Sequence, residues 1–406
     1  MSFRKKKVML LSTHDSHLKG HAWSCIQLYD KTKYEVGLVS LYSLYNDRTY
    51  AIISNSFFYR VYDNIIKQIE TIFIKRNYKY CFLKIISFPV TANQILRKYA
   101  FGKPDIIVLH WYDGFITPKI LKQLYVKTLA KIVFVFTDEF PLGGGCHYPC
   151  ECVGYKTQCA NCPALINYKS IAERKLNSKI RLLSSIPKVV IAPSAGIRQA
   201  KNSAFFKENT EFIKCSCGHE ISNIPSFKES RNKLSIQEDD FVIMFGALNI
   251  NEERKGMAYL LNALEILSDK IDRSIIALVI GSTESPLRPI KNIEYRYFGI
   301  VPLEQMYEIY AASNVYISPS IADAGPMMLS FSIACGTPVV AFPIGYALDL
   351  IQHRETGYLA QKFSAQSLAE GIMYFYSNQA KRKEFTDKCI KINQDNLKTD
   401  NVYNNL

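Results

Sequence analysis

No run of eighteen apolar residues occurs in the 406-residue chain, so a bilayer-spanning helix is not expected. The opening stretch MSFRKKKVMLLSTHDS has a basic prefix, but its apolar part, Val8–Leu11, is too short for a secretory signal and suits a first buried strand. The expected compartment is therefore the cytoplasm, where thiols stay reduced. Acidic side chains are scarce: 36 Asp and Glu face 50 Lys and Arg, a formal net charge of +14. Repeats and low-complexity tracts are missing, and a composition 48% hydrophobic and 21% charged excludes a disordered chain. The cations are spread out, with small clusters at Arg4–Lys7 and Lys381–Lys383 and no arginine-rich stripe interleaved with aromatics, which argues against nucleic acid as a partner. An anionic membrane surface, a phosphorylated substrate or a lysine-rich solvated exterior each fits the charge.

What is present is alternation. KVMLLST, YEVGLVSLY, DIIVLHWYDG, KIVFVFTD and KVVIAPS are short β-branched runs ending in polar or small residues. The second half repeats this with DFVIMFGAL, IIALVIGS, YRYFGIV, VYISPS and TPVVAFP, separated by helical patterns such as GMAYLLNALEILSDK. Such runs fit strands buried on both faces, and their alternation with helices predicts an α/β fold with a parallel sheet in each half. The length suits two domains. The expected division is an N-terminal domain over 1–222, a linker over 223–240 in the polar stretch NIPSFKESRNKLSIQEDD, a C-terminal domain over 241–385, and a tail over 386–406 that crosses back to the first domain.

Ligands of open parallel sheets sit beyond the carboxyl ends of strands. That rule selects Ser12–Asp15, His110–Asp113, Thr137–Glu139, Gly246–Lys255, Gly281–Glu284 and Ser318–Gly325, loops expected to converge on a cleft between the domains. In FGALNINEERKG, Arg254 and Lys255 precede a helix whose N-terminal amides already favour an anion, and two cations there suit a diphosphate. In SPSIADAGPMMLSFSIACGTPVVAFPIG, a second helix start near Met327 and Met328 aims further amides at an anion, with Asp323 and Gly325 beside it.

These residues carry a resemblance. Pro319-Ser320, the Asp323 loop, ACGTPVVAF and TGYLA look like the donor-binding region of retaining glycosyltransferases with the GT-B fold, over most of residues 240–375. The resemblance implies two Rossmann-like domains facing across a cleft and a metal-independent hexosyl transfer from a UDP- or GDP-linked sugar. It places Arg254, Lys255, Gly325, Met327 and Met328 on the donor diphosphate and Asp323 on the sugar as a catalytic residue. The superfamily has two glutamates eight positions apart where this chain has Asp323 and Phe331; Phe331 cannot bind ribose hydroxyls, which leaves Ser330 and Ser332 as neighbours able to do so. A non-catalytic sugar-nucleotide-binding partner of another transferase is the alternative that Phe331 favours.

Five cysteines and a histidine crowd into GGGCHYPCECVGYKTQCANCP, residues 143–163. Cys146, Cys152, Cys159 and Cys162, closing in C-x-x-C, read as a structural zinc site, with an iron–sulfur cluster or a loop of free thiols as alternatives and Cys150 and His147 as substitute ligands. The segment FTDEFPLGGGCHYPCECVGYKTQCANCP resembles one in a subgroup of these enzymes that builds colanic acid and other bacterial surface polysaccharides. Thr137 stands where that subgroup has a histidine, and the weakly similar N-terminal loop keeps Gly20. The resemblance implies that Asp138 is a catalytic or acceptor-orienting residue, with His14, Asp15 and His110 near it. It also implies a lipid-linked saccharide acceptor and a location at the inner membrane face.

Overall fold

The computed structural model describes residues 4–15, 29–43, 51–215, 217–399 and 406. The chain divides into two units, one of Met1–Cys215 with Asn401–Leu406 and one of Ser216–Asp400.

The first unit is built on a seven-stranded parallel sheet in the order β3-β2-β1-β4-β5-β6-β7. The strands are β1 (Lys6–Asp15), β2 (Tyr34–Ser43), β3 (Ala51–Ile52), β4 (Ile106–Leu109), β5 (Lys131–Val135), β6 (Lys188–Ala192) and β7 (Thr210–Lys214). Val8, Met9, Leu10 and Leu11 of β1 are all fully buried, as a strand covered by helices on both faces must be. Edge strand β7, TEFIK, has no buried residue, and for that reason lacks the apolar run that marks the others.

The second unit holds a six-stranded parallel sheet, β10-β9-β8-β11-β12-β13. Its strands are β8 (Phe241–Asn249), β9 (Ile275–Ser282), β10 (Ile293–Gly299), β11 (Val315–Ser318), β12 (Val339–Ala341) and β13 (Gly357–Leu359). In both sheets the strand order reverses beside the first strand, between β1 and β4 and between β8 and β11. Crossover helices leave the sheet in opposite directions there, which opens a crevice at the carboxyl edge.

The stretch 223–240, expected as a linker, is part of the second unit. It forms helix Phe227–Lys233, opened by a capping box between Ser226 and Glu229. Arg231 anchors it, 1% exposed, donating to the carbonyls of Ala312, Gln237, Glu238 and Asp240 and to the Asn314 side chain. The polar pattern hid this because the buried side chain is a guanidinium rather than an aliphatic one. In the stretch expected as a returning tail, helix Arg382–Thr399 belongs to the second unit, with Asn393 exchanging hydrogen bonds with the backbone of His219. Leu406, in the first unit, accepts from the Lys6 ammonium. No helix among the described residues is long and apolar enough to cross a membrane.

Replacing Arg231 by Met strips five acceptors, two of them fully buried, of their donor and should destabilise the second unit by about 3 kcal/mol. Denaturant unfolding followed by circular dichroism measures it.

Candidate functional site

At the crevice of the second sheet, the loop after β8 tightens into a single 3-10 turn, Glu253–Lys255, closed by Gly256 in the left-handed region. A Cβ on Gly256 would lie 1.9 Å from the Pro319 carbonyl oxygen, so only glycine lets this loop touch the loop that follows β11. The Ile321 N–H donates to the Arg254 carbonyl at 2.8 Å, locking the two loops together. Arg254 and Lys255 are thereby turned toward Asp323. Its Oδ2 accepts from Lys255 Nζ at 2.8 Å and from Arg254 at 3.3 Å, while Oδ1 accepts from the Gly325 N–H at 3.2 Å. Glu252 takes a second position on Arg254 at 2.7 Å. Helix Met327–Ala334 starts immediately after, behind Pro326, with no side chain capping its first amides. The structure thus brings Arg254, Lys255, Asp323, Gly325 and the Met327–Met328 helix start together at one strand-order reversal.

Phe331 is stacked on His219, with ring centroids 4.1 Å apart, and lies against Tyr307. The two serines expected to serve the ribose are engaged within the fold. Ser332 is fully buried and donates to the Thr337 carbonyl, and Ser330 is spent on the Met327 carbonyl and the His219 ring. Their hydroxyls satisfy helix and core instead of a ligand. His219 was not legible in the sequence, since it reaches this helix from a segment more than a hundred residues earlier.

In the first unit, the ends of β1 and β4 are stitched together: Thr13 N–H donates to the Trp111 carbonyl at 2.6 Å and Thr13 Oγ1 to the Asp113 carbonyl at 2.8 Å. Asp113 then meets the loop after β5. His147 is 1% exposed, with Nε2 3.0 Å from Asp113 Oδ2 and Nδ1 bonded to Asp138 Oδ2. Its ring lies between Trp111 and Phe140, at 4.4 and 5.0 Å. Burial opposes charge on His147, but the Asp138 and Asp113 carboxylates outweigh it and raise its pKa to about 9. Burial likewise works against the charge of Asp113, and the His147 hydrogen bond and positive charge win, holding that carboxyl below its ordinary range.

Asp138 lies inside this cluster. It is 3% exposed, with one oxygen on the Phe140 N–H and the other on His147, so it anchors the loop after β5. Thr137 Oγ1 is buried with no hydrogen-bond partner among the described residues. His110 is buried at the end of β4, and Asp15 closes β1. Gly20 lies outside the described residues.

The cysteine segment that carries His147 packs on the helix after it. Gly144 passes so near the next helix, Ser170–Leu183, that a Cβ would lie 2.1 Å from the Ala172 carbonyl oxygen. Cys146, Cys152, Cys159 and Cys162 line one cavity of about 20 Å³. Cys152 accepts from the Gly154 N–H at 3.4 Å, Cys159 from the Gly144 backbone, and Cys162 from the Ala164 and Leu165 backbone. Yet no three His, Cys, Asp or Glu side chains among the described residues stand close enough to hold a metal ion. Cys146 is hydrogen-bonded to Cys162 instead, and Cys150 and His147 are engaged elsewhere, Cys150 with the Lys79 and Tyr148 carbonyls.

Residues 226–391 match the family model of glycosyl transferases group 1. An uncharacterized glycosyltransferase of Haemophilus influenzae is 25% identical over 170 residues, 41% of this chain and 47% of that protein. A phosphatidyl-myo-inositol mannosyltransferase of Mycobacterium leprae is 27% identical over 139 residues, 33% of this chain and 37% of that one. The chain spans about half the length, or less, of the curated relatives it matches. Among solved structures, sucrose-phosphate synthase of Thermosynechococcus elongatus superposes with a TM-score of 0.64 at 15% identity, over 98% of this chain and 97% of that one. Anabaena HepE in complex with UDP and glucose superposes with a TM-score of 0.58 at 15% identity, over 98% and 96%. The chain has the GT-B fold, and its second unit carries the group 1 glycosyltransferase match.

Because His147 titrates above its ordinary 6.5, its ion pairs add stability that is complete below pH 6.5 and fades as pH climbs through about 9. A His147→Asn variant should melt lower than the native chain at pH 6, with the gap narrowing toward pH 9. Melting curves across that range check it.

Proposed function

We propose that this protein is a retaining glycosyltransferase of the hexosyl type. It moves a sugar from a UDP- or GDP-linked donor to a hydroxyl of a growing, lipid-linked surface saccharide at the inner membrane face. The observation that carries the reading is the convergence of Arg254, Lys255, Asp323 and an uncapped helix start at the β8–β11 reversal. That cluster offers an anion two cations and free amides, and it gives a polyhydroxyl group a carboxylate. The group 1 family match over this unit and the UDP bound by the structurally similar Anabaena HepE support it.

In this reading the donor diphosphate competes with Asp323 for Lys255 and Arg254. Two phosphates outweigh one carboxylate, so Asp323 is released toward the sugar hydroxyls as the diphosphate is clamped. The bond from the anomeric carbon to the phosphate oxygen then breaks, with its electron pair going to the leaving diphosphate, which Arg254, Lys255 and the Met327–Met328 amides stabilise. The acceptor oxygen bonds to the anomeric carbon on the same face, and its proton passes to the leaving phosphate oxygen. No protein base or metal is required by this route. The second reading, a sugar-nucleotide-binding partner without turnover, is favoured by Phe331 stacked on His219 at the position where the resemblance places a glutamate.

For the cysteine loop we propose that the four thiols close inward on one structural zinc ion rather than an iron–sulfur cluster. Their common cavity and the backbone N–H donors on three of the sulfurs support this. Elemental analysis of protein purified without chelator should find one zinc per chain; metal-free protein that is fully folded overturns it.

Thermal-shift titration with UDP, GDP, ADP, CMP and dTDP should give a saturable rise with one nucleotide that disappears in Lys255→Ala. Asp323→Asn should bind that nucleotide at least as tightly as the native chain, because a competitor for the cations is gone, while transfer falls by roughly a hundredfold or more. A flat response from folded native protein refutes the donor site. Binding without turnover of any sugar nucleotide selects the second reading.

A further inference from the structure

Helix Pro118–Thr128, helix Ser170–Leu183 and the first sheet leave a cavity of about 200 Å³ between them. Its walls are mostly apolar, with Tyr112, Ile116, Leu121, Phe134, Phe140 and Leu183 among them. Tyr112 meets Phe134 and Phe140 edge to face, an arrangement that suits a further flat ring. A dry apolar cavity of about 150 Å³ takes up benzene, so this one has room for a six-membered ring and a polar group on it.

Two cations border it. Lys175 and Lys179 stand one turn apart on one face of helix Ser170–Leu183, with Ser178 beside them. The buried Lys179 ammonium is spent on the carbonyls of Phe140, Pro141 and Gly143. Lys175 is not spent. Of the three N–H groups of an ammonium, it gives one to the Lys84 carbonyl at 2.6 Å, and it lies 5.4 Å from the centre of the Phe82 ring. No carboxylate among the described residues comes within ion-pair distance of it. Asp113, which also lines the cavity, is bonded to His147. Burial pushes the Lys175 pKa down, against the attraction of Asp113 and Glu70, as happens to a charge withdrawn from water without a direct partner. The Tyr112 hydroxyl is likewise buried with no hydrogen-bond partner among the described residues. A doubly charged phosphate would bring more charge into this apolar space than one available ammonium answers, whereas a carboxylate matches it.

We propose that this cavity is a binding site for a small aromatic carboxylate, with the ring against Leu121, Phe134 and Phe140 and the carboxylate on the Lys175 ammonium. Because Asp113 both lines the cavity and holds His147, an occupant braces the loop that carries His147. The ligand is a second one, apart from the crevice of the other unit. Its test reads binding alone, without donor or turnover, so it stands or falls separately from the glycosyltransferase assignment.

The experiment is a fluorine NMR titration of the full chain with 4-fluorobenzoate and with 4-fluorobenzyl alcohol, a neutral molecule of nearly the same shape. The native chain should bind 4-fluorobenzoate with a Kd of about 1 mM or tighter. It should bind the alcohol roughly tenfold more weakly, because the charge-assisted hydrogen bond is gone. Lys175→Met should bind the two alike, at the level of the alcohol. Ser178→Phe, which puts a ring into the cavity from the same helix face, should bind neither; melting curves confirm that both variants are folded. Native protein that binds neither molecule, or both equally, overturns the proposal. So does a folded variant of either kind that binds 4-fluorobenzoate like the native chain.

Discussion

A parallel sheet can be entered from its middle only once, and the chain must then leave that point in both directions. In each unit this happens beside the first strand, and the crevice so formed is the one place at the carboxyl edge where two loops diverge instead of packing over each other. In the second unit the loops after β8 and β11 still touch through one backbone hydrogen bond, from Ile321 to Arg254, and through the close passage of Gly256 under Pro319. That contact sets Arg254 and Lys255 at the mouth of the crevice, within reach of Asp323.

The two crevices treat charge in opposite ways. In the first unit Asp113, His147 and Asp138 are withdrawn from water and bonded to one another, and an imidazole sealed between two carboxylates and two aromatic rings is a fixture. Losing one member of such a group leaves an uncompensated buried charge, which is costly. In the second unit Arg254 and Lys255 keep about a fifth of their side-chain surface in solvent, and their pairing with Asp323 is exchangeable. An anion can replace a carboxylate there without taking a charge out of water that was not already half removed. The rigid triad positions a loop, and the exchangeable cluster is the one suited to a ligand.

Charge placement also organises the exterior. Glu70 is turned into the first unit on Arg76, and Asp63, 31% exposed, is held by Lys84, so the exposed charged side chains from Phe57 to Lys79 are cations. That sorting depends on side-chain direction, which the overall charge of +14 does not reveal.

The chain's alternation of β-branched runs and amphipathic stretches determined by itself that both halves are parallel α/β sheets, because a strand buried on both faces must be apolar throughout. Strand ends are readable as well: Arg254, Lys255, Asp323 and Gly325 could be named from the chain, and they lie together at one strand-order reversal. Strands β3, β7 and β13 were not readable, being short or at sheet edges where an apolar run is not needed. Only the tertiary structure decided which way the polar side chains point. Asp138 turns inward to His147, Ser330 and Ser332 serve the helix and core, Arg231 pins what looked like a linker, and the cysteine loop packs by glycine contacts and N–H···S bonds. Each depends on a partner distant in sequence, and a polar residue's preference among distant partners leaves no periodic trace in the chain.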